Sequence, residues 1–244
     1  HRDLHSFPTR RSSDLGGCDA GRRGRGRSES EYLGQDEGGR ILADLPIALI
    51  GAGPMGLACA KVLGEQGIAF QGFELHLDVG GLWDIEGPRS TMYETAHLIS
   101  SKTKTQFADF PMDEAVADYP SHRVMRDYFR AFADRFDLRR HFRFGAEVLR
   151  CEPLAEGWRV IWREGGTEHE GRFCGVMIAN GTLSEPNQPQ FPGEFAGEVI
   201  HSAQYRHPDQ LRGKRVLVVG GGNSGCDIVV DAVHHAACAD LSLR

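Results

Sequence analysis

Pro46-Ile47-Ala48-Leu49-Ile50-Gly51-Ala52-Gly53-Pro54-Met55-Gly56 decides the fold. The first five residues form a short apolar run of the kind buried in a parallel sheet. Gly51, Gly53 and Gly56 then fit G-x-G-x-x-G, and a helical pattern follows with Leu57, Ala60, Val62, Leu63 and Ile68. In a strand–turn–helix the first glycine permits the tight turn. The second lets the backbone approach a pyrophosphate, and the third lets helix and strand pack closely. The phosphate charge meets free N–H groups and the positive end of the helix dipole. Ala69-Phe70-Gln71-Gly72-Phe73-Glu74 reads as the second strand. Glu74 ends it about twenty residues on, where a carboxylate can accept hydrogen bonds from both hydroxyls of a ribose.

The pattern recurs. Val216-Leu217-Val218-Val219 leads into Gly220-Gly221-Gly222-Asn223-Ser224-Gly225. Asn223 and Ser224 suit a helix start. The strand closing this second unit ends in Ser242-Leu243-Arg244, with no acid where Glu74 stands in the first. An acid would repel a 2′-phosphate, whereas Ser242 and Arg244 would bind one, so NADPH is expected rather than NADH. Two such turns, one early and one about 170 residues later, predict an α/β protein with two Rossmann-type dinucleotide-binding domains. In such flavoproteins the nicotinamide domain is inserted into the FAD domain, and the nicotinamide passes hydride to the flavin.

The rest of the chain fits around these units. Residues 78–120 are loop-rich, and Ser121 can cap a helix whose apolar face is Val124, Tyr128, Phe129, Phe132 and Phe136. Glu147–Cys151 and Trp158–Trp162 alternate as a hairpin around Glu156-Gly157, and Val176–Ala179 reads as a buried strand. The expected boundaries are an FAD-binding domain over 45–210 and the start of an NADP-binding domain over 211–244, cut short at the C-terminus. Its missing strands would leave apolar faces open, so the chain alone is expected to be poorly soluble.

Residues 1–15, HRDLHSFPTRRSSDL, match an in-frame translation of a sequencing-library adapter. Residues 16–44 read as a disordered or misread tail. Residues 1–44 together carry eight basic and eight acidic residues, so the net charge of −6 belongs to the remainder and speaks against nucleic acid. The first methionine is Met55, inside the glycine motif, so the natural start is expected elsewhere. No signal peptide is read at the N-terminus, and no apolar run approaches the roughly 20 residues of a membrane span. Six scattered cysteines form no C-x-x-C pair and read mostly as small buried residues, which fits a reducing cytoplasm and argues against a flavin disulfide reductase. No metal constellation is read; the adjacent His234 and His235 point different ways on a helix and are expected at the surface.

Between the turns, Phe195-Ala196-Gly197-Glu198-Val199-Ile200-His201-Ser202-Ala203-Gln204-Tyr205 matches F-x-G-x-x-x-H-x-x-x-Y. This resembles the identifying sequence of the flavin-containing monooxygenase family. Gly80-Gly81-Leu82-Trp83 resembles the family's flavin-contacting loop, Phe107–Pro111 its F-S-D-F-P phrase, and Ala179–Thr182 its return to the sheet. The resemblance covers roughly residues 46–244. It implies an external-type monooxygenase: NADPH reduces FAD, molecular oxygen adds to give a flavin hydroperoxide, and an amine nitrogen or sulfide of a small molecule is oxygenated, in a site closed to water. It also implies that His201 and Tyr205 help couple the nucleotide sites rather than act as an acid–base pair.

Two departures stand out. Tyr205-Arg206 replaces the Trp-Pro or Trp-Asp of the Baeyer–Villiger fingerprint, which disfavours that class. The family's active-site asparagine falls at Ile99, which cannot hydrogen-bond the flavin edge or bound oxygen. Lys102 keeps its family position, with a solvent-facing loop lysine as the plain reading. The alternatives are a catalytically inactive FAD-binding fragment, a leaky oxidase, or a Baeyer–Villiger-type or other FAD–NADPH oxidoreductase. The residues leave substrate and oligomeric state open.

Overall fold

The computed structural model describes residues 45–243. The adapter-like segment, the tail and Arg244 lie outside the described residues. Strand β1 (Ile47–Ile50) leads through α1 (Pro54–Glu65) to β2 (Phe70–Glu74). A long irregular stretch holds the one-turn α2 (Lys102–Thr105) and then α3 (His122–Arg135). Strands β3 (Phe142–Phe144), β4 (Ala146–Pro153), β5 (Trp158–Glu164), β6 (Thr167–Phe173) and β7 (Gly175–Ile178) follow. The last unit is β8 (Arg215–Val219), α4 (Asn223–His235) and β9 (Cys238–Ser242).

β1 lies in the middle of a sheet ordered β3-β2-β1-β7, paired parallel with both β2 and β7. A strand covered on both faces must be apolar throughout, and Ala48 and Leu49 are fully buried. Successive side chains point to opposite faces. Leu49 joins the core under α1 and α3, while Ala48 and Phe73 meet Val160, Trp162 and Phe173 of the antiparallel sheet β4-β5-β6. Helices thus cover one face of the central sheet and a meander covers the other.

The helix ends follow local chemistry. Pro54, with φ preset and no N–H to lose, opens α1. Its C-terminus closes as a Schellman motif: Gly67 takes φ +65°, Ile68 N–H donates to Leu63 O at 2.9 Å, and Gly67 N–H to Gly64 O at 3.1 Å. Val62 and Ile68 are exposed; Leu57, Ala60 and Leu63 carry the buried face. α3 buries Met125, Tyr128, Phe129, Phe132 and Ala133, while Val124 faces out. Ser121 occupies the N-cap position with extended backbone, but its side chain makes no capping bond. Tyr128 instead organises the F-x-D-F-P phrase. Its hydroxyl accepts Phe107 N–H at 2.7 Å and donates to Phe110 O at 2.7 Å, and the Phe107 ring packs tilted against Phe132, centroids 4.3 Å apart.

Several sequence expectations are corrected. The hairpin is a three-stranded meander. Its third strand follows the two-residue turn Gly165-Gly166, whose φ values of +57° and +82° are those of a type I′ turn. The strand at 142–144 was not expected. β7 is an edge of its sheet rather than a buried strand, and Ile178 is 71% exposed. Cys59, Cys151 and Cys174 are half-buried, Cys226 and Cys238 exposed, and none of these five described cysteines is fully inside. His234 is exposed, but half-buried His235 brings Nδ1 within 2.9 Å of Asp231 O. Among the described residues no helix is long and apolar enough to cross a membrane, and no group of His, Cys, Asp and Glu is arranged to hold a metal.

His122, the first residue of α3, is 1% exposed, and neither ring nitrogen has a hydrogen-bond partner among the described residues. Burial, joined by the Arg123 and Arg126 charges against opposing pulls from Glu94 and the nearby Trp83 backbone, holds its pKa below the ordinary 6.5. The unfolded chain therefore binds the proton more readily. Stability is full above pH 6.5 and falls as the pH drops through and below that value. Urea unfolding between pH 5 and 8 should show that loss, and His122→Leu should flatten it; an unchanged acid slope in the variant would assign the loss to other groups.

Candidate nucleotide-binding sites

The first glycine turn leaves the C-terminal end of β1, where the chain goes to β2 on one side and returns from β7 on the other. Ligands of open α/β sheets bind at such a switch point. Gly51 takes φ +100°, and its N–H donates to Phe73 O at 2.8 Å. A Cβ at Gly51 would stand 2.6 Å from Ala179 O, so β7's exit closes over the turn. A Cβ at Gly56 would overlap the Gly51 carbonyl oxygen and sit 2.8 Å from its carbon. Gly53 is the N-cap, Pro54 and exposed Met55 start the helix, and Leu57 N–H donates to Gly53 O at 2.9 Å.

The second turn repeats this geometry. Gly220 has φ +105°, and its N–H donates to Ser242 O at 2.9 Å. A Cβ at Gly225 would overlap the Gly220 oxygen and lie 3.1 Å from its carbon. Gly222 is the N-cap of α4, with φ −73° like Gly53, and Cys226 N–H donates to its carbonyl at 3.0 Å. A Cβ at Gly222 would meet no described atom within 4 Å, which leaves room for a ligand. Asn223 and Ser224 lie in the first turn of the helix and make no side-chain cap. Neither helix has an acidic residue in its first turn, so both ends stay open to an anion.

The strand ends differ. Glu74 Oε2 accepts Ala52 N–H at 2.6 Å and Oε1 accepts His76 N–H at 2.7 Å, so the carboxylate braces the turn. Each oxygen keeps a lone pair for a further donor. In the second unit Val219 pairs with Ser242 as Ile50 pairs with Phe73, so Leu243, not Ser242 or Arg244, is the counterpart of Glu74. Its side chain leans on Gly221 as Glu74 reaches Ala52.

The Gly80–Trp83 turn lies on the first glycine turn. Gly80 N–H donates to Ala52 O at 3.2 Å, and a Cβ at Gly81, φ +55°, would stand 2.8 Å from Gly53 Cα. Leu82 O accepts the Ser90 hydroxyl at 2.7 Å, and Trp83 packs against the main core. Asp84 beside it is buried and bonded to Arg130 at 2.7 Å.

His201 is placed otherwise than a reactive base. Its Nδ1 accepts Ala203 N–H at 3.1 Å while Gln204 returns to the His201 N–H at 2.8 Å, a capping box on a 3₁₀ turn. His207 and Gln210 repeat the device. Tyr205 is fully buried, and its hydroxyl donates to Asp231 Oδ2 at 2.8 Å. Burial and the adjacent Asp231 push the phenol well above its ordinary pKa, so it stays protonated. Ile99 is 63% exposed and offers no hydrogen bond. Lys102 is not the solvent-facing lysine of the plain reading. It is buried, and its ammonium donates to the carbonyls of Asp113 at 3.0 Å, Glu114 at 2.9 Å and Val116. Sequence reasoning also missed Tyr93, Thr95, Asp227 and Asp231, whose only signal is the i, i+4 spacing of two aspartates in an apolar helix.

Two congruent dinucleotide turns on one chain define a two-nucleotide α/β protein. The sequence profile of the flavin-binding monooxygenase-like family matches residues 45–244, and the chain belongs to that family. It is 36% identical over 211 residues to human flavin-containing monooxygenase 2, covering 81% of this chain and 39% of that protein. The fold is similar to S-allyl-L-cysteine S-oxygenase from Allium sativum, with TM-score 0.74, 26% identity and coverage of 82% and 50% of the two chains. It is also similar to OTEMO in complex with FAD and NADP, with TM-score 0.65, 27% identity and coverage of 82% and 38%. The chain therefore spans well under two thirds of these relatives.

Proposed function

We propose that this chain is the cofactor-holding part of an FAD- and NADPH-dependent monooxygenase that oxygenates a soft nucleophile, an amine nitrogen or a sulfide, with molecular oxygen. The observation that carries it is the congruence of the two glycine turns, differing at Glu74 and Leu243, in a member of this family. Both turns fit a pyrophosphate: the first glycine of each takes a positive φ, the third has no room for a Cβ, and the helix ends are free of acid. In this reading residues 45–210 form the FAD domain and 211–244 begin the NADP domain.

Gly51, Gly53, Pro54, Met55 and Gly56 would hold the FAD pyrophosphate, Glu74 a ribose, and Gly81, Leu82 and Trp83 the flavin side. Gly220, Gly222, Asn223, Ser224 and Gly225 would hold NADPH, with Ser242 and Arg244 toward its 2′-phosphate. When bound, the flavin takes hydride from NADPH and activates oxygen. The chain's own residues orient the two dinucleotides and exclude water. His201 acts through the 3₁₀ turn it caps, which delivers Tyr205 to Asp231, and not as an acid or base.

The test is the visible spectrum of the purified chain after loading with FAD and desalting, then NADPH added in air with an amine, a sulfide or a ketone. Retained flavin and NADPH-dependent oxygenation of amine or sulfide support the proposal. A colourless protein refutes the flavin assignment, and ketone oxygenation alone moves the enzyme to the Baeyer–Villiger class. The strand-end residue has its own test. Leu243→Asp should shift the preference for NADP⁺ over NAD⁺ about tenfold or more toward NAD⁺, read as the ratio of Kd values. An unchanged ratio would place the discrimination elsewhere.

A further inference from the structure

The two nucleotide turns belong to different sheets, and a buried carboxylate lies where α4, which carries the second turn, meets a segment bonded to the Gly80–Trp83 turn that lies on the first. α4 begins at the second turn and presents Asp227 and Asp231, one helical turn apart, to the segment Tyr93–Thr95. The Tyr93 hydroxyl donates to Asp227 Oδ2 at 2.6 Å. Asp231 is 7% exposed, and its Oδ2 accepts two hydroxyls, Thr95 Oγ1 at 2.6 Å and Tyr205 at 2.8 Å. Around them Tyr93, Ala96, Tyr205, Leu211, Ile228 and Ala232 form an apolar core of their own.

A buried carboxylate is costly unless hydrogen-bonded, and an apolar contact would hold two surfaces together without that cost. What the carboxylate adds is direction: two hydroxyls converging on one oxygen fix both the rotation and the height of α4. The other end of the segment is tied to the first site. Ser90 bonds Leu82 of the turn lying on Gly53, and the Arg206 guanidinium donates to Met92 O at 2.7 Å and Ser90 O at 2.5 Å. A bonded path thus runs from Leu82 through Ser90 and Thr95 to Asp231 and α4.

We infer that Asp231 is a positioning residue that sets the second nucleotide turn against the first by holding Thr95 and Tyr205. The inference rests on reading the turns as flavin and nicotinamide sites. Hydride passes only between atoms held about 3–3.5 Å apart, so the relative setting of the two turns governs the transfer. A consequence readable without turnover is that filling the first site steadies α4.

The experiment uses the full chain, with and without saturating FAD, and measures amide hydrogen exchange across residues 226–235. FAD should slow exchange there by about fivefold or more, the low end of ordinary coupling between sites. Thr95→Val, nearly isosteric but without the hydroxyl, should keep the flavin yet lose the FAD-dependent slowing. Thr95→Ser should restore it, and Asp231→Asn should weaken it. A merely structural role would change exchange equally with and without FAD and would not be rescued by serine. A yellow parent chain with no FAD-dependent slowing, or equal slowing in Thr95→Val, overturns the inference alone. A parent that retains no flavin overturns the reading of the first turn and the inference with it.

Discussion

Gly56→Ala leaves the chain colourless after FAD loading and costs about 3 kcal/mol or more of stability. The added methyl would overlap the Gly51 carbonyl oxygen, and both partners are backbone, so no side chain can rotate away. Overpacking a well-filled interior ordinarily costs about 1–3 kcal/mol, and a backbone-on-backbone clash belongs at the upper end or beyond. Relief would need the turn to open, which carries the helix N-terminus away from the place a pyrophosphate must occupy. Gly64→Ala in the same helix is the control. A Cβ there meets nothing within 4 Å, and alanine's better helix propensity gains up to about 1 kcal/mol. Urea unfolding and the flavin spectrum of both variants decide the matter. A Gly56→Ala protein that holds FAD as firmly as Gly64→Ala would show that the turn is not the cradle.

Lys102→Met costs about 2–3 kcal/mol and loosens the segment 113–118. All three ammonium hydrogens are committed to carbonyls of that segment, and Lys102 N–H takes a fourth, Asp118 O, at 2.7 Å. Hydrogen bonds from a charged donor contribute about 1.5–3 kcal/mol each when buried, but Asp113 and Glu114 are exposed enough for water to replace part of the loss. Lys102→Arg should not restore it, because a planar fork cannot point donors at three converging oxygens as a tetrahedral ammonium does. The measurement pairs urea unfolding with limited proteolysis between residues 111 and 120. If methionine leaves both unchanged, the carbonyls find other partners and the clamp has no weight.

The parts of the fold legible in the sequence are those that local backbone chemistry dictates. The first and third glycines of each motif must be glycine because positive φ and a missing Cβ are required there. The motif therefore located both turns, their flanking strands and their helices. Strands with polar outer faces were harder to see. β6, Thr167–Phe173, is mostly charged or polar because one side faces out, and only the Gly165-Gly166 turn betrays it. β3 is three residues long, too short for any period. In the site, Glu74 is singled out by its distance along the chain, but which residue stands in its place in the second unit needs the strand register, which names Leu243. The burial of Lys102 and the role of Asp231 escaped the sequence for a shared reason. Each acts on groups brought to it by tertiary packing, and neither spacing nor composition records which carbonyl or hydroxyl will arrive.

The likeness of the two turns carries a cost in selectivity. If each turn holds a pyrophosphate, as proposed, it touches a group that flavin and nicotinamide dinucleotides share, and so is blind to which of them has arrived. In a mixture of both, sorting falls to side chains at the strand ends and to the pockets beyond, with a carboxylate at one strand end and an alkyl group at the other. A redesign that aims to exchange the two cofactors can leave both glycine turns untouched.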